Sequence, residues 1–269
     1  MQEMITLNNG VNIPAIGIGG WAQKKQNICD AIDIGYRMID TAAQYGNESE
    51  IGDAISESGV SRSEIFITTK LWTQDIRDRE VESALEKSLK NLRTDYVDLY
   101  LIHWPAFGFE EAWLKMEKLH KEGKIRAIGI SNFEPHHLEE LKMFGANIVP
   151  VINQIESHPY FSNQPLIDYM SERTVVSEAW CPLGGPQSGE MQDSIINNIA
   201  QKYGKSPAQI MLRWHVQRNV IVIPKSSNIV RMKENIDIFD FELDDDDMSQ
   251  IKKLEQGRRL GAHPDNFNF

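Results

Sequence analysis

The chain has 269 residues, of which 41% are hydrophobic, and this is long enough for one large core. Its 28 Lys and Arg residues against 39 Asp and Glu residues give a formal net charge of −11, which argues against nucleic acid or an anionic membrane as the main partner. Because a signal-peptide pattern and a membrane-length apolar run are missing and the two cysteines are too few for a disulfide framework, we expect a cytoplasmic protein.

Short apolar runs rich in β-branched and aromatic residues recur along the chain, each followed by an amphipathic stretch of helix length. A small hairpin over Met4–Asn12 comes first, because a polar turn at residues 8–10 separates apolar residues. The strands predicted after it are Ala15–Gly19, Met38–Ala42, Ile65–Leu71, Val97–His103, Ile125–Ser131, Val151–Glu156, Val175–Trp180 and Val220–Pro224.

Helices are predicted between these strands because apolar residues recur there at helical spacing. Val81, Leu85 and Leu89, for example, lie on one face of a predicted helix. The helices that alternate with strands are Lys24–Ile34, Glu48–Ser58, Arg79–Leu92, Glu110–Lys121, Pro135–Phe144, Gln164–Glu172, Pro207–Gln217 and Ile229–Ile236. Asp193–Tyr203 and Asp245–Gln256 are two extra helices, and the acidic run at the start of the second is interpreted as a helix start rather than a metal site.

Strict alternation of strand and helix implies parallel strands with helices outside them. Eight such units in about 250 residues fit a closed (β/α)8 TIM barrel better than an open sheet. We therefore predict a single α/β barrel domain over residues 1–269. The N-terminal hairpin is expected to cover the bottom of this barrel.

The glycine-rich segment Gly17–Ala22 offers a competing interpretation. It follows a strand, opens a helix and precedes Asp40 by about twenty residues, which is close to the dinucleotide fingerprint of a Rossmann fold. The regular units outnumber the strands of that fold, and a better phosphate-binding cluster lies near the other end of the chain. We therefore interpret the segment as a tight first loop of the barrel.

Four ionisable residues lie near the carboxyl ends of neighbouring predicted strands, where barrel enzymes place their chemistry. Asp40 and Tyr45 follow the second strand, while Lys70 ends the third and His103 ends the fourth. The ammonium of Lys70 would lower the pKa of the Tyr45 phenol, and Asp40 would hold Lys70 by an ion pair. Neutral His103 would orient a carbonyl oxygen, to which Tyr45 would then give its proton as a general acid.

These four residues lie in motifs that resemble the signatures of the aldo-keto reductases. The motifs are Asp40-Thr-Ala-x-x-Tyr45-Gly-Asn-Glu, Lys70-Leu-Trp, Leu101-Ile-His103-Trp-Pro, Gly129-Ile-Ser131-Asn132-Phe, Asn153-Gln154-Ile-Glu and Ile223-Pro-Lys225-Ser226. They cover nearly the whole chain, and the family's catalytic tetrad maps onto the four ionisable residues. The tail at residues 261–269 further resembles the ending of small prokaryotic members, including the 2,5-diketogluconate reductase type.

The resemblance implies an extended NADPH across the barrel mouth. Ser131, Asn132 and Gln154 would hold the nicotinamide carboxamide by hydrogen bonds. Trp180 would stack against the nicotinamide ring, at a position where the family often has Tyr.

The resemblance also implies two contact regions for the remainder of the cofactor. Pro182 and Leu183 belong to a loop that approaches the pyrophosphate, and the adjacent Cys181 fits either cofactor contact or loop packing. Two cations and a hydroxyl around a helix N-terminus suit the 2′-phosphate, which favours NADPH (NADP+) over NADH. The residues of this phosphate and adenine region are Lys225, Ser226, Arg231, Glu234 and Asn235.

Aromatic residues at the strand ends predict the substrate pocket. Trp21, Trp72 and Trp104, together with His103, would wall an apolar slot over the reactive carbonyl, with packing under loops as the alternative for the tryptophans. Phe267 makes the tail a candidate for covering this mouth. The pattern does not distinguish sugar-derived ketones, small dicarbonyls and aromatic aldehydes.

The sequence thus predicts a monomeric, NADPH-dependent reductase of a small-molecule carbonyl substrate, without a metal. Two other classes compete with this prediction. The family contains non-enzymatic cofactor-binding subunits, against which the intact tetrad argues. A barrel aldolase would instead use Lys70 as a Schiff-base nucleophile.

Overall fold

The computed structural model describes residues 3–269 and begins with the predicted hairpin. In this hairpin, β1 (Met4–Thr6) pairs antiparallel with β2 (Asn12–Pro14). The side-chain amide of Asn8 donates hydrogen bonds to the main-chain oxygens of Pro150 and Thr174, just before two barrel strands begin. The hairpin therefore covers the amino-terminal end of the barrel, as predicted.

Eight parallel strands follow one another around a single sheet, in chain order. They are β3 (Ile18–Gly19), β4 (Met38–Asp40), β5 (Phe66–Leu71), β6 (Val97–Ile102), β7 (Ile125–Ser131), β8 (Ile152–Glu156), β9 (Val176–Trp180) and β10 (Val220–Val222). The sheet closes because Ile16 forms a parallel bridge to Val222, and the main-chain N–H of Gly17 donates to the oxygen of Val222 at 2.9 Å. The predicted (β/α)8 barrel is confirmed.

Helices occupy the segments between the strands. They are α1 (Lys25–Ile34), α2 (Glu48–Glu57), α3 (Thr73–Arg77), α4 (Val81–Leu92), α5 (Phe109–Lys121), α6 (Pro135–Phe144), α7 (Gln164–Ser171), α8 (Ser194–Tyr203), α9 (Pro207–Gln217), α10 (Ile229–Ile236) and α11 (Asp245–Lys252). Both predicted extra helices, α8 and α11, are present. The predicted helix from Arg79 begins only at Val81, because Arg79 has a φ of +61° and separates it from the short, unpredicted α3.

Apolar side chains fill the lower part of the barrel interior, which confines polar chemistry to the upper end. Leu99, Leu101 and Ile221 belong to this buried cluster, together with Leu7 and Ile13 from the hairpin region. In residues 3–269, every helix is too short or too polar to cross a lipid bilayer. Both cysteines are free, in agreement with the absence of a disulfide framework.

Candidate active site

Lys70 lies at the centre of the site and is fully buried near the end of β5. Its Nζ donates to Asp40 Oδ1 at 2.5 Å, to the main-chain oxygen of Thr41 at 2.9 Å and to the Tyr45 hydroxyl at 3.4 Å. Burial disfavours the ammonium, but the charge and hydrogen bond of Asp40, together with the nearby Tyr45 and Glu178, raise the pKa of Lys70 above its ordinary value. Lys70 is therefore a fixed cation at neutral pH.

Tyr45 reaches this cation because the loop after β4 turns back over the barrel end. A single 3-10 turn, Ala43–Tyr45, carries the phenol and ends at Gly46, whose φ of +68° favours glycine. The side-chain amide of Asn47 then donates to the main-chain oxygen of Gly20 at 2.8 Å, which anchors the loop to the first barrel strand.

Influences of opposite sign set the pKa of the Tyr45 phenol. Burial is the largest influence and raises the pKa of the Tyr45 phenol, while the charge of Lys70 lowers it only in part. The predicted lowering by Lys70 is present, but burial, aided by the charge of Asp40, exceeds it. The phenol consequently stays protonated at neutral pH, which suits a proton donor.

His103 closes the group of four on the side of β6. Its ring lies edge-on to the Tyr45 ring, with 5.8 Å between the centroids. Burial, and then the charge of Lys70, lower the pKa of His103 well below its ordinary value, so the predicted neutral state is confirmed. Within residues 3–269, no group forms a hydrogen bond with its Nδ1.

An interlocked set of polar side chains lies at the ends of β7 and β9. Trp180 Nε1 donates to Asn132 Oδ1 at 2.8 Å, and Asn132 Nδ2 donates to the main-chain oxygen of His103 at 3.0 Å. Ser131 Oγ donates to the main-chain oxygen of Gln154 at 2.9 Å. The amide of Asn132 thus links Trp180 to His103, so two predicted cofactor-side residues are fixed by protein contacts.

Gln154 connects this set to the ion pair. Its Nε2 donates to Asp40 Oδ2 at 2.7 Å and to Glu178 Oε1 at 2.8 Å, and all three side chains are buried. Both amide hydrogens are used, whereas no donor in the described part of the chain reaches Gln154 Oε1. That oxygen is therefore an acceptor that suits a primary amide such as a nicotinamide carboxamide.

Glu178 is a site residue that the sequence analysis missed. It lies in the middle of β9 and is completely buried. The available signal was a carboxyl group in a strand covered on both faces, where parallel sheets are normally apolar.

A second buried cluster was also missed, and it fixes the loop after β9. The His158 ring lies between Glu156, at 3.2 Å from Nε2, and Glu190, at 2.7 Å from Nδ1. Burial opposes the charge of this ring, but both carboxylates raise the pKa of His158 to about 8. Pro182 is buried and Leu183 half-buried in the same loop, and a Cβ on the next residue, Gly184, would lie 2.8 Å from the Glu190 carboxylate.

Cys181 begins the loop after β9 and is half-buried. Burial is the main cause that raises the pKa of its thiol to about 12, so the thiol is neutral. A neutral thiol is a weak hydrogen-bond donor, which fits packing and cofactor contact alike.

The proposed phosphate region lies between β10 and α10. Lys225 and Arg231 are exposed, and neither forms an ion pair with another residue of the described range 3–269. The Asn228 side chain caps α10 by accepting from the Arg231 main-chain N–H at 3.1 Å. Ser226 is buried beside this cap and accepts from the Asn228 main-chain N–H. Unpaired cations beside a helix N-terminus form a setting that suits a phosphate group.

The adenine candidates belong to the next turn of α10. Asn235 is buried, whereas Glu234 is half-buried. Both therefore lie on the same short helix as Arg231, within reach of one extended ligand.

The C-terminal tail folds onto the predicted substrate aromatics. The Phe269 ring stacks on Trp72 with 5.5 Å between centroids and 8° between planes. The centroid of the Trp104 ring lies 5.2 Å from those of Phe267 and Phe269. The Trp72 ring lies edge-on to His103, also with 5.2 Å between the centroids. The tail thus packs against two of the tryptophans that the sequence analysis assigned to the substrate pocket.

Trp21 is the third tryptophan predicted at the substrate mouth, and its role there stays a prediction. It is 63% exposed and contacts none of the aromatic rings within residues 3–269. The glycines before it have a structural role, because a Cβ on Gly20 would lie 2.7 Å from the main-chain oxygen of Asp40. The Rossmann alternative is wrong, since this segment belongs to the closure of a barrel.

Known proteins match this chain over almost its whole length. The Aldo/keto reductase family matches residues 16–256. The glyoxal reductase of Bacillus subtilis (strain 168) is 45% identical over 100% of this chain and 99% of its own length, and the methylglyoxal reductase DkgA of Escherichia coli (strain K12) is 44% identical over 98% of each. The crystal structure of MGS-M4, an aldo-keto reductase enzyme from a Medee basin deep-sea metagenome library, is similar with a TM-score of 0.93 and 41% identity, covering 98% of this chain and 100% of that chain.

Proposed function

The chain belongs to the aldo/keto reductase family and is an oxidoreductase, and from this premise we propose that it reduces an aldehyde or ketone to an alcohol with NADPH. The observation that carries the proposal is the buried Asp40–Lys70 ion pair, whose ammonium lies 3.4 Å from the Tyr45 hydroxyl. Family members generally use nicotinamide cofactors, and the choice of NADPH is part of the proposal.

Tyr45 is the proposed general acid. Its half-buried phenol is protonated at neutral pH, and the proton moves to the substrate oxygen as negative charge develops there. The ammonium of Lys70, which is fully buried, then stabilises the phenolate that remains, because charges interact strongly where the dielectric constant is low. Asp40 keeps the ammonium in place, and in the reverse direction the phenolate of Tyr45 takes the proton back.

His103 orients the substrate carbonyl in this proposal. A neutral imidazole has one N–H donor, which can bind the carbonyl oxygen beside the phenol. The ring is held edge-on by Trp72 on one side and by Tyr45 on the other, so it presents a fixed direction to that oxygen.

NADPH, when bound, supplies the hydride for the carbonyl carbon. Gln154 Oε1 would accept from the carboxamide, with Ser131 and Asn132 holding their neighbours in place, and the Trp180 ring would pack against the nicotinamide. Lys225, Ser226 and Arg231 would bind the 2′-phosphate, Pro182 and Leu183 would line the pyrophosphate path, and Glu234 and Asn235 would contact the adenine.

The substrate is proposed to enter beside His103 and the three predicted tryptophans, Trp21, Trp72 and Trp104. Two relatives are named as reductases of glyoxal and methylglyoxal, so small dicarbonyls belong in any substrate survey. We also propose that the protein is a cytoplasmic monomer with one domain. Cell fractionation tests the location, sedimentation tests the monomer, and a single cooperative unfolding transition is expected for one domain.

The aldolase alternative requires Lys70 to be a neutral nucleophile. The structure argues against this chemistry, because Lys70 is an ammonium held by Asp40 at 2.5 Å and its pKa is raised. A free amine at this position would have to break that buried ion pair first.

A panel of carbonyl compounds, followed by the absorbance of NADPH, tests the proposed reaction. We expect turnover of at least one small aldehyde or dicarbonyl, with one NADPH consumed for each alcohol formed. NADH is run in parallel as the matched comparison. Tight binding of NADPH without turnover of any compound would contradict the proposal, as would carbon–carbon bond formation that needs no nucleotide.

A further inference from the structure

Glu178 is a second buried carboxyl group beside the Asp40–Lys70 ion pair. Its Oε1 accepts from Gln154 Nε2 at 2.8 Å, and the same nitrogen donates to Asp40 Oδ2 at 2.7 Å. One amide group is therefore held between two carboxyl groups. Rotating this amide by half a turn would place its oxygen against both of them, so the pair fixes which way Gln154 points.

The surrounding charges favour a neutral Glu178. Asp40, Lys70 and Gln154 are the polar groups that act on it, from β4, β5 and β8, while its register partner on β10 is the apolar Ile221. Lys70 is the single cation of this set in the described chain, and Asp40 already pairs with it. A second ionised carboxyl group would thus lack a counter-charge in a buried site.

The second oxygen of Glu178 supports the same conclusion. Within residues 3–269, its Oε2 is buried and makes no hydrogen bond. An unpartnered oxygen is costly to bury, and much more so when it belongs to an anion than to a neutral acid. Both the charge balance and the hydrogen bonding therefore favour a protonated Glu178.

We propose, on the basis of the carbonyl reduction proposed above, that Glu178 is a positioning residue. In its neutral form it aligns Gln154 for the nicotinamide carboxamide, and its ionisation slows reduction. Ionised Glu178 would raise the pKa of the Tyr45 phenol and weaken it as an acid. It would also place negative charge near the developing alkoxide.

The pH at which this change occurs follows from the surroundings of Glu178. Burial, and then the charge of Asp40, raise its pKa from 4.5 to about 8. The pKa of Glu178 is higher in the folded chain than in the unfolded chain. At pH values between these two pKa values, the folded protein therefore carries one more proton than the unfolded chain. The stability that this proton contributes is fully present below pH 4.5 and is lost as the pH rises through about 8.

The test compares the wild type with Glu178→Gln, which keeps an acceptor for Gln154 and cannot ionise. The rate measured is kcat/KM for NADPH-dependent carbonyl reduction from about pH 6 to about pH 10. We expect the kcat/KM of the wild type to fall above about pH 8. When each protein is compared with its own value at pH 7, the loss of kcat/KM at about pH 9.5 should be about tenfold smaller in the variant than in the wild type. An identical alkaline decline in both proteins would overturn the proposal.

A buried carboxylate elsewhere provides the matched control. Glu117 is buried in α5 and accepts from the main-chain N–H groups of Asn147 and Ile148 at 2.7 and 2.8 Å. Glu117→Gln is expected to lower thermal stability without changing the shape of the pH profile. Loss of the alkaline decline in this variant as well would assign that decline to general stability and overturn the proposal.

Infrared spectroscopy gives a readout that does not depend on turnover. The wild type should show the C=O band of a protonated carboxylic acid that disappears above about pH 8, and that is missing from Glu178→Gln. Absence of this band from the wild type would overturn the proposal even if the variant failed to fold. By contrast, a wild type that shows the band but reduces no carbonyl would overturn the proposed function, and the positioning role with it.

Discussion

The two sides of the barrel mouth are constructed differently. On the proton side, Lys70 is buried and already paired with Asp40, and it lies within 3.4 Å of Tyr45. On the phosphate side, Lys225 and Arg231 are exposed and form no ion pair inside the described range 3–269. A buried cation needs a protein counter-charge because it has lost its water, whereas water stabilises an exposed cation. The proton side is therefore preorganised, whereas the proposed phosphate side offers two exposed cations to a ligand.

Gln154 lies between the two sides. Its amide hydrogens are held by Asp40 and Glu178 of the proton side, while its remaining acceptor has no donor within residues 3–269. Asn132 makes a similar connection, because it joins Trp180 to the main chain of His103. If the comparison is correct, variants on the proton side should change the rate of the chemical step, and variants on the phosphate side should change cofactor binding.

The largest expected effect comes from Tyr45→Phe, which removes the proton donor and little else. We expect kcat to fall by about 10²–10⁴-fold, because a positioned general acid contributes that much to a rate. The dissociation constant for NADPH, measured by quenching of tryptophan fluorescence, should change by less than about threefold. Retention of a normal kcat would rule out Tyr45 as the acid.

Tyr96→Phe is the matched control for that variant. Tyr96 lies just before β6, at the other end of the barrel, and its ring packs under the Arg62 guanidinium. Removing its hydroxyl should leave kcat unchanged. An equal loss in both variants would show that a general effect of a missing phenol, rather than proton donation at Tyr45, lowers the rate.

An intermediate effect is expected from Lys225→Ala and Arg231→Ala on the phosphate side. Each removes a charge-assisted contact to the 2′-phosphate, so the KM for NADPH should rise by about 10–100-fold. The KM for NADH, which lacks that phosphate, should change by less than about threefold. Steady-state kinetics with both nucleotides measures the difference.

Lys233→Ala is the control on the same helix. Lys233 is exposed and, in the described chain, also lacks an ion pair, but it follows Arg231 by two residues and so lies on nearly the opposite side of α10. We expect it to change neither KM. Equal effects of Lys225→Ala on NADPH and NADH would contradict the assignment of the 2′-phosphate site, and would remove the distinction between the two sides of the mouth.

Local sequence patterns were sufficient for the barrel and for the group of four. Strands β5 to β9 appear as short apolar runs, and the parallel order then brings their carboxyl ends together. Asp40, Lys70 and His103 could be found because each lies at or near such an end. The short α3 was missed because five residues give no helical periodicity.

Other features depended on distances that no local pattern contains. The network around Glu178 passes through Gln154 and Asp40, which are 114 residues apart in sequence. The direction of the Tyr45 pKa depended on how deeply the phenol is buried and on how strongly Asp40 opposes Lys70. A sequence names the charges at a site, but their balance requires the distances between them.

The smallest expected effect comes from Phe269→Ala, which sharpens the comparison within the proton side. The Phe269 ring stacks on Trp72, which in turn contacts His103. The main-chain oxygen of Phe269 accepts from Arg77 at 3.0 Å, a contact that the substitution keeps. Because an aromatic pair contributes about 0.5–1.5 kcal/mol, losing this ring should raise the KM for the carbonyl substrate by about two- to tenfold. The KM for NADPH should stay constant, since the Phe269 ring packs on Trp72 and Trp104. Phe144→Ala, an exposed phenylalanine at the end of α6, is the control and should change neither constant. A tail variant that weakened NADPH and substrate equally would mean that the two sides of the mouth are coupled through the tail, and the comparison would fail.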